Sequence, residues 1–254
     1  MRADAVLLDI DGVLLFDGRP IPGARETLRF LEEKGIPYRL LTNATRLSRR
    51  VIAERLASAG MDAGESRVHT ALVAAAALLR ERRWSALYLV DPEGREDLPP
   101  EGEEGKAEAV FVGDCGNRFT YEALNRVFRE LLRGAALLAG HKNPYWVREG
   151  RPAMDGGAFV AALEYASGVE AELVGKPRAP FFHAALEGLL PPGADRRRAV
   201  MVGDRWNSDV EGARAAGLSG VLVRTGLYRE GDEHRGAPEE TLDSVADLPE
   251  WLLG

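Results

Sequence analysis

The sequence predicts an α/β protein built in two parts, on three observations. Short apolar runs without helical period alternate with amphipathic stretches, the order that produces a parallel sheet with helices on both faces. A second alternation of the same kind interrupts the first, and the first style then resumes. Acidic residues stand just past the ends of the first and last groups of apolar runs.

The elements follow in chain order. Residues 5–8 are apolar and stop at Asp9-Ile10-Asp11-Gly12, which reads as a buried strand ending in a turn. Residues 22–35 read as a helix with proline near its start and glycine at its end. Residues 38–41 are the next strand, closed by Thr42-Asn43. Residues 48–59 form an amphipathic helix stopped by Gly60, and the Ala/Leu-rich stretch 70–82 is helical. The second set runs strand 86–90, a charged Gly/Pro-rich loop 91–106, strand 109–113, helix 120–133, strand 136–139, helix 157–167 and strand 171–174. The return reads as helix 180–189, strand 199–202, helix 208–216 and strand 221–223. No repeat at a fixed period occurs.

With 254 residues, 45% of them hydrophobic and 29% charged, the chain can bury a substantial core in one large or two moderate domains. No apolar run approaches the ~18 residues of a membrane helix. Met1-Arg2-Ala3-Asp4 runs directly into the first strand with no signal peptide, so the expected compartment is the cytoplasm. The lone cysteine, Cys115, excludes an internal disulfide framework and a multi-cysteine zinc site. A net charge of −7 argues against a nucleic-acid surface. Arginine occurs 29 times against four lysines, and glutamine is absent. This composition suits a protein working hot, and high genomic GC content would give the same arginine excess. A lysine in so lysine-poor a chain points to a need for an ammonium group.

Four strand-end motifs carry chemistry. Asp9 and Asp11 lie two apart, so both carboxylates can lean to one side of the sheet edge, where open α/β sheets bind ligands. Their repulsion calls for a cation or a shared proton. One carboxylate can attack phosphorus and its neighbour can serve as general acid and base. The plainer reading of Asp-x-Asp-Gly is turn chemistry. Thr42 and Asn43 offer a hydroxyl and backbone N–H groups for phosphoryl oxygens, or simply cap a strand. Gly175-Lys176-Pro177 places a rare lysine in a rigid loop, where an ammonium could neutralise carboxylates and phosphate together. Gly203-Asp204 offers a hard-cation ligand, and Asp209 either supports it or sits as an acid at a helix N-terminus. His69, His141, His183 and His234 have no metal-ligand spacing. No Gly-x-Ser-x-Gly elbow and no Gly-x-Gly-x-x-Gly follows the first strand, which disfavours a serine hydrolase and a dinucleotide fold. Asn43-Ala44-Thr45 fits a glycosylation sequon and is set aside for want of a signal peptide.

Asp9-Ile10-Asp11-Gly12-Val13-Leu14, Thr42-Asn43, Gly175-Lys176-Pro177 and Gly203-Asp204 through Asp209, in this order, resemble the haloacid dehalogenase (HAD) superfamily. The large insert between the second and third motifs resembles its class IIA (C2-cap) branch of NagD-like and nitrophenylphosphatase-like enzymes. Residues 159–175 (FVAALEYASGVEAELVG) and 218–233 (LSGVLVRTGLYREGDE) are most similar to the phospholysine phosphohistidine inorganic pyrophosphate phosphatases and the haloacid-dehalogenase-like hydrolases related to them. The resemblance implies a Rossmann-like parallel-sheet core over 1–76 and 176–254, with a smaller α/β cap inserted at 77–175. It implies an Mg²⁺-dependent phosphatase acting on a small phosphorylated metabolite, with neither nucleic acid nor membrane as partner, and it admits a homodimer. By motif match Asp9 is the nucleophile and Asp11 the general acid/base, its backbone carbonyl also facing the metal. Thr42, Asn43 and Lys176 bind phosphate, Asp204 completes the metal set with Asp9 and Asp11, and Asp209 supports metal-bound water or Lys176. A dehalogenase of the superfamily lacks the carboxylate at Asp11 and needs no metal. In the cap, Asn143-Pro144-Tyr145 and Met154-Asp155-Gly156-Gly157 depart from the relatives' usual loops, so Asn143, Tyr145 and Asp155 are the expected specificity positions. Arg205 and Trp206 either rim the cleft or are a surface arginine and an anchoring indole. Two alternatives stand beside this reading: cleavage of P–N or P–O–P bonds on the same site, and a non-catalytic ligand-binding protein of this fold. Val-Gly-Asp also occurs at Val112-Gly113-Asp114, inside the insert, where Asp114 is expected to cap a turn or the helix near Thr120.

Overall fold

The computed structural model describes residues 2–148, 151–235 and 238–254. The chain divides into two compact units. One comprises Met1–Thr42, Ala53–His69 and Lys176–Gly254; the other comprises Asn43–Ile52 and Thr70–Gly175. The expected α/β class and the parallel core sheet are present. The second unit takes in a short segment, Asn43–Ile52, that the sequence places ahead of the insert.

The first unit is built on a six-stranded sheet in the order Glu240–Leu242, Ser219–Val223, Ala199–Gly203, Ala5–Asp9, Tyr38–Thr42, Val68–Thr70. Ala5–Asp9, at its centre, is buried along its whole length. This is why its sequence is a continuous apolar run and not an alternation: both faces are covered. Leu8 lies opposite Val202 on one side and Leu40 on the other. That register brings the C-terminal ends of three separate strands to one edge, where Asp9 and Thr42 end their strands and Asp204 follows its own. Helix Ala24–Glu33 packs beside Leu248–Leu253, and Ala179–Leu186 beside Gly212–Ala215.

The second unit has a four-stranded parallel sheet ordered Glu172–Leu173, Ala136–Ala139, Ala109–Val112, Ala86–Leu89. Its residues alternate between two cores with the strand period of two. Tyr88, Phe111 and Leu138 pack with Leu72, Ala75 and Leu79 of helix Ala71–Arg82. Leu87, Val110 and Leu137 pack with Val127 and Leu131 of helix Tyr121–Leu132 and Val160 and Leu163 of helix Gly156–Ser167. Each helix begins on an oxygen-bearing cap: Thr70, Thr120 and Asp155 accept from Val73, Ala123 and Gly156 N–H. An antiparallel pair, Tyr145–Arg148 with Arg151–Met154, completes the unit.

Several elements differ from expectation. The predicted helix 208–216 is a π-helical turn, Trp206–Glu211, followed by a single α-turn, Gly212–Ala215. The loop 91–106 contains a 3₁₀ segment, Pro92–Asp97. Unexpected elements are the hairpin Leu15–Phe16/Arg19–Pro20, the edge strands Val68–Thr70 and Glu240–Leu242, and helix Leu248–Leu253. Among the described residues no helix is long and apolar enough to cross a membrane.

The packing of the second unit generates a contrast. Phe111 is fully buried between strand and helix, whereas Tyr165 is 94% exposed. Phe111→Ala should cost about 3–5 kcal/mol, and Tyr165→Ala should stay within about 0.5 kcal/mol. Chemical denaturation followed by far-ultraviolet circular dichroism measures both; equal midpoints for the two variants would contradict this core.

Candidate active site

The acidic edge of the first sheet is assembled from four segments. Asp9 is the last residue of its strand and is buried. Its Oδ1 lies 2.8 Å from Lys176 Nζ and also accepts from Ile10 N–H at 2.9 Å. Lys176, buried as well, places the same ammonium 2.7 Å from Asp209 Oδ1. Asp209 accepts from Arg205 N–H through Oδ2 and from the Ser208 hydroxyl through Oδ1. The π-helical turn sets it there, a departure from regular α-geometry of the kind that recurs at functional sites. Asp209 is therefore a lysine partner, and it also lies in the first turn of this helix, so both sequence readings of it apply.

Asp204 follows strand Ala199–Gly203 and is buried. Its Oδ2 accepts from Leu227 N–H at 2.6 Å, while its Oδ1 is buried with no hydrogen-bond partner. The space around it is held open by glycine. A Cβ on Gly12, whose φ is +92°, would stand 2.1 Å from Asp204 Oδ2. Asp9, Asp204 and Asp209 each offer a carboxylate oxygen within 4.8 Å of the others. Asp11 is set differently: its Oδ2 accepts from the Thr42 hydroxyl at 3.1 Å and solvent reaches it. The convergent side-chain set is thus Asp9, Asp204 and Asp209, with Asp11 beside it.

Burial and mutual repulsion govern the electrostatics. Desolvation raises the Asp9 carboxyl well above the ordinary range, against the pull of Lys176 and with the charges of Asp209, Asp204 and Asp11 adding to the rise. Burial, with the Asp209 charge behind it, pushes Asp204 up to about 7. Asp11, although solvent reaches it, is raised by partial loss of hydration, with the Thr42 hydroxyl and the charges of Lys176, Arg205 and Arg55 opposing. Burial alone would lower the Lys176 ammonium, but Asp209 and Asp9 outweigh this and hold it above the usual lysine range. Three buried carboxylates around one ammonium, with one bare buried oxygen, suit a hard divalent cation.

The remaining expected positions lie in the second unit. Asn43 opens it, and its side-chain oxygen would stand 2.4 Å from a Cβ on Gly175. Asn143 N–H donates to His141 Nδ1, and Asp155 caps helix Gly156–Ser167 while standing 3.6 Å from His141 Nε2. Tyr145 is 40% exposed at the start of the antiparallel pair. Asp114 accepts from Gly116 N–H at 2.8 Å and faces Arg46, so it holds a turn, while Thr120 caps the helix. Trp206 is buried against Val210 and Leu222, an anchoring indole. Thr225, Gly226 and Leu227, which close on Asp204, carry no sequence expectation. Their signal is Thr225-Gly226 shortly after the apolar run 221–223, a threonine near a strand end as Thr42 is after 38–41.

Two family models match the chain. One, described as haloacid dehalogenase-like hydrolase, matches residues 6–99; the other, described as HAD-hydrolase-like, matches residues 173–248. Together they take in Asp9, Asp11, Thr42, Asn43, Lys176, Asp204 and Asp209. The chain belongs to the haloacid dehalogenase-like hydrolases. It is 38% identical to haloacid dehalogenase-like hydrolase domain-containing protein 2 of Bos taurus, over 98% of this chain and 95% of that one. It is 36% identical to the phospholysine phosphohistidine inorganic pyrophosphate phosphatase of Xenopus laevis, over 96% and 90%. Among solved structures it resembles the p-nitrophenyl phosphatase from Archaeoglobus fulgidus, with a TM-score of 0.88, 28% identity, and coverage of 98% of this chain and 99% of that one.

The Asp204 carboxyl generates a pH prediction. Its folded value, about 7, lies above its unfolded value, 3.8, so the folded metal-free protein binds the extra proton between them. Stability of the metal-free protein should fall as pH rises through that window. A divalent cation must displace this proton at low pH, so it should raise Tm more at pH 8 than at pH 5. Thermal scans with chelator and with cation at both pH values test this; an equal cation effect at both would contradict it.

Proposed function

We propose that the chain is an Mg²⁺-dependent phosphatase that hydrolyses small phosphomonoesters through an aspartyl-phosphate on Asp9. The observation that carries this is the pairing of Asp9, held by Lys176, with Asp11, held by the Thr42 hydroxyl, two residues apart at one sheet edge. Membership of the hydrolase family supports it, as do the relatives named as phosphatases.

In the first step an Asp9 carboxylate oxygen forms a bond to phosphorus as the ester P–O bond breaks, and the departing oxygen takes a proton from Asp11. The upward direction of the Asp11 carboxyl favours its part as proton donor to the departing oxygen. In the second step the Asp11 carboxylate takes a proton from water, the water oxygen bonds to phosphorus, and the Asp9–phosphorus bond breaks. Inorganic phosphate leaves, and both carboxyl groups return to their starting states. Lys176 balances the charge of Asp9 and the incoming phosphate throughout. Thr42 and Asn43 take phosphoryl oxygens. Asp9, Asp204 and the Asp11 backbone carbonyl are the groups that would hold Mg²⁺, and the bare Asp204 Oδ1 fits that duty. When bound, Mg²⁺ supplies charge stabilisation to the phosphoryl group in flight. The second unit acts as the C2-type cap, and Asn143, Tyr145 and Asp155 contribute to the choice of leaving group.

A second reading on the same site is cleavage of P–N or P–O–P bonds, favoured by the name of the Xenopus laevis relative. Phospholysine, phosphohistidine and pyrophosphate assayed beside phosphomonoesters separate the two.

Asp9→Asn should lower phosphate release by roughly 10⁴-fold or more, because an amide cannot take the nucleophile's part. Retained turnover of p-nitrophenyl phosphate by a folded variant would remove the covalent step. The two Val-Gly-Asp motifs give a paired test. Asp204→Ala should abolish the Mg²⁺ dependence of activity together with most of the activity. Asp114→Ala should keep the Mg²⁺ response and cost about 1 kcal/mol of stability through its turn. Mg²⁺ titrations of both variants decide it, and the reverse pattern would relocate the metal site.

A further inference from the structure

The geometry points to the turn Thr225-Gly226-Leu227 as a positioning device that presents Asp204 and the Asp9–Gly12 loop to the cation. This rests on the proposed Mg²⁺ site and assigns residues outside the four motifs to it.

Three contacts carry the inference. Leu227 N–H donates to Asp204 Oδ2 at 2.6 Å. That commits one carboxylate oxygen to the backbone and leaves Oδ1 as the buried atom with no partner. The Thr225 hydroxyl donates to the Gly12 carbonyl at 2.5 Å, tying the turn to the loop that carries Asp9 and Asp11. Gly226, at φ +63°, lies between them: a Cβ there would stand 2.1 Å from Asp204 Oδ2 and 2.5 Å from Gly12 Cα. Asp204 Oδ2 is therefore enclosed by two glycines, Gly12 and Gly226, and one donor. A carboxylate fixed in this way has little freedom to rotate and offers the same oxygen each time.

Such restraint matters for the choice of metal. Mg²⁺ demands near-octahedral geometry with short bonds, whereas Ca²⁺ accepts longer and more varied ligation. A loosened turn should thus harm Mg²⁺ binding more than Ca²⁺ binding. A turn that only closes a surface loop would alter both equally, or alter only the melting temperature.

The test is calorimetric titration of the full chain with Mg²⁺ and with Ca²⁺, alongside Tm in chelator. Thr225→Val removes the hydroxyl at nearly constant shape, and Thr225→Ser keeps it. Thr225→Val should weaken Mg²⁺ binding by about 10–100-fold, the range seen when a hydrogen bond in the shell that supports metal ligands is lost. Its Ca²⁺ affinity should fall by less, and Thr225→Ser should stay near wild type for both metals. Wild-type Mg²⁺ affinity in Thr225→Val, or an equal loss for both metals that Thr225→Ser shares, overturns this inference alone. A wild-type protein that takes up no Mg²⁺ overturns the cation reading and this inference with it.

Discussion

The ammonium of Lys176, held between Asp9 and Asp209, is the interaction on which the acidic edge depends. Removing charged groups from water costs several kcal/mol per ion after relaxation, and a pair repays this only with close geometry and further hydrogen bonds. Here Nζ stands 2.8 and 2.7 Å from its two acceptors, and both carboxylates take backbone N–H groups as well, from Ile10 and from Arg205. One ammonium still cannot balance three buried carboxylates. Asp204 carries the remainder, with its carboxyl pushed up to about 7 and one oxygen left bare. The imbalance belongs to the protein itself and is the physical reason that the site calls for a cation.

Sheet geometry makes this concentration of charge feasible. Parallel strands place their C-terminal ends side by side, and the Leu8–Val202 and Leu8–Leu40 registers put residues more than 150 positions apart in sequence within reach of one ion. Glycine then removes the volume that side chains would claim. A Cβ on Gly203 would stand 2.2 Å from Asp209 Cβ, just as Cβ atoms on Gly12 and Gly226 would collide with Asp204. Close approach at these three positions is thus a condition of the site's geometry, beyond any role the glycines have in turning the chain.

Strands and helices long enough to show a period were legible in the sequence. The buried strands at 5–8 and 199–202 are unbroken apolar runs, the strand at 38–41 is apolar apart from Arg39, and the helices of the second unit carry matching caps. Short elements were not legible by that route. Glu240–Leu242 has no apolar run and is defined by pairing with Val221–Val223, a tertiary fact. The hairpin Leu15–Phe16/Arg19–Pro20 did have a signal: Asp17-Gly18, both at positive φ, is the pair that a two-residue hairpin turn demands. For the candidate site, residue types near strand ends drew attention to Asp9, Asp11, Lys176 and Asp204, which the fold brings to one sheet edge. The orientation of Asp209 was not legible, because the 208–216 pattern suits a regular helix, whereas the chain there forms a π-helical turn that sets Asp209 against Lys176.

Two copies of Val-Gly-Asp, each after a buried strand, show what separates a carboxylate satisfied within the fold from one with an oxygen left unpartnered. Asp114 is satisfied: Gly116 N–H and the Arg46 guanidinium face its oxygens, and its own N–H goes to the Thr45 hydroxyl at 2.7 Å. Thr45 in turn fills the space that side chains at Gly113 and Gly140 would occupy. Asp204 has the same local sequence and similar burial, yet one of its oxygens meets nothing. An unsatisfied buried carboxylate oxygen costs stability unless something binds it. Its persistence in an otherwise well-paired sheet edge is better evidence of a ligand than the motif itself. Local sequence places a carboxylate at a strand end; the accounting of partners around it decides whether that carboxylate is spent on the fold or kept for chemistry.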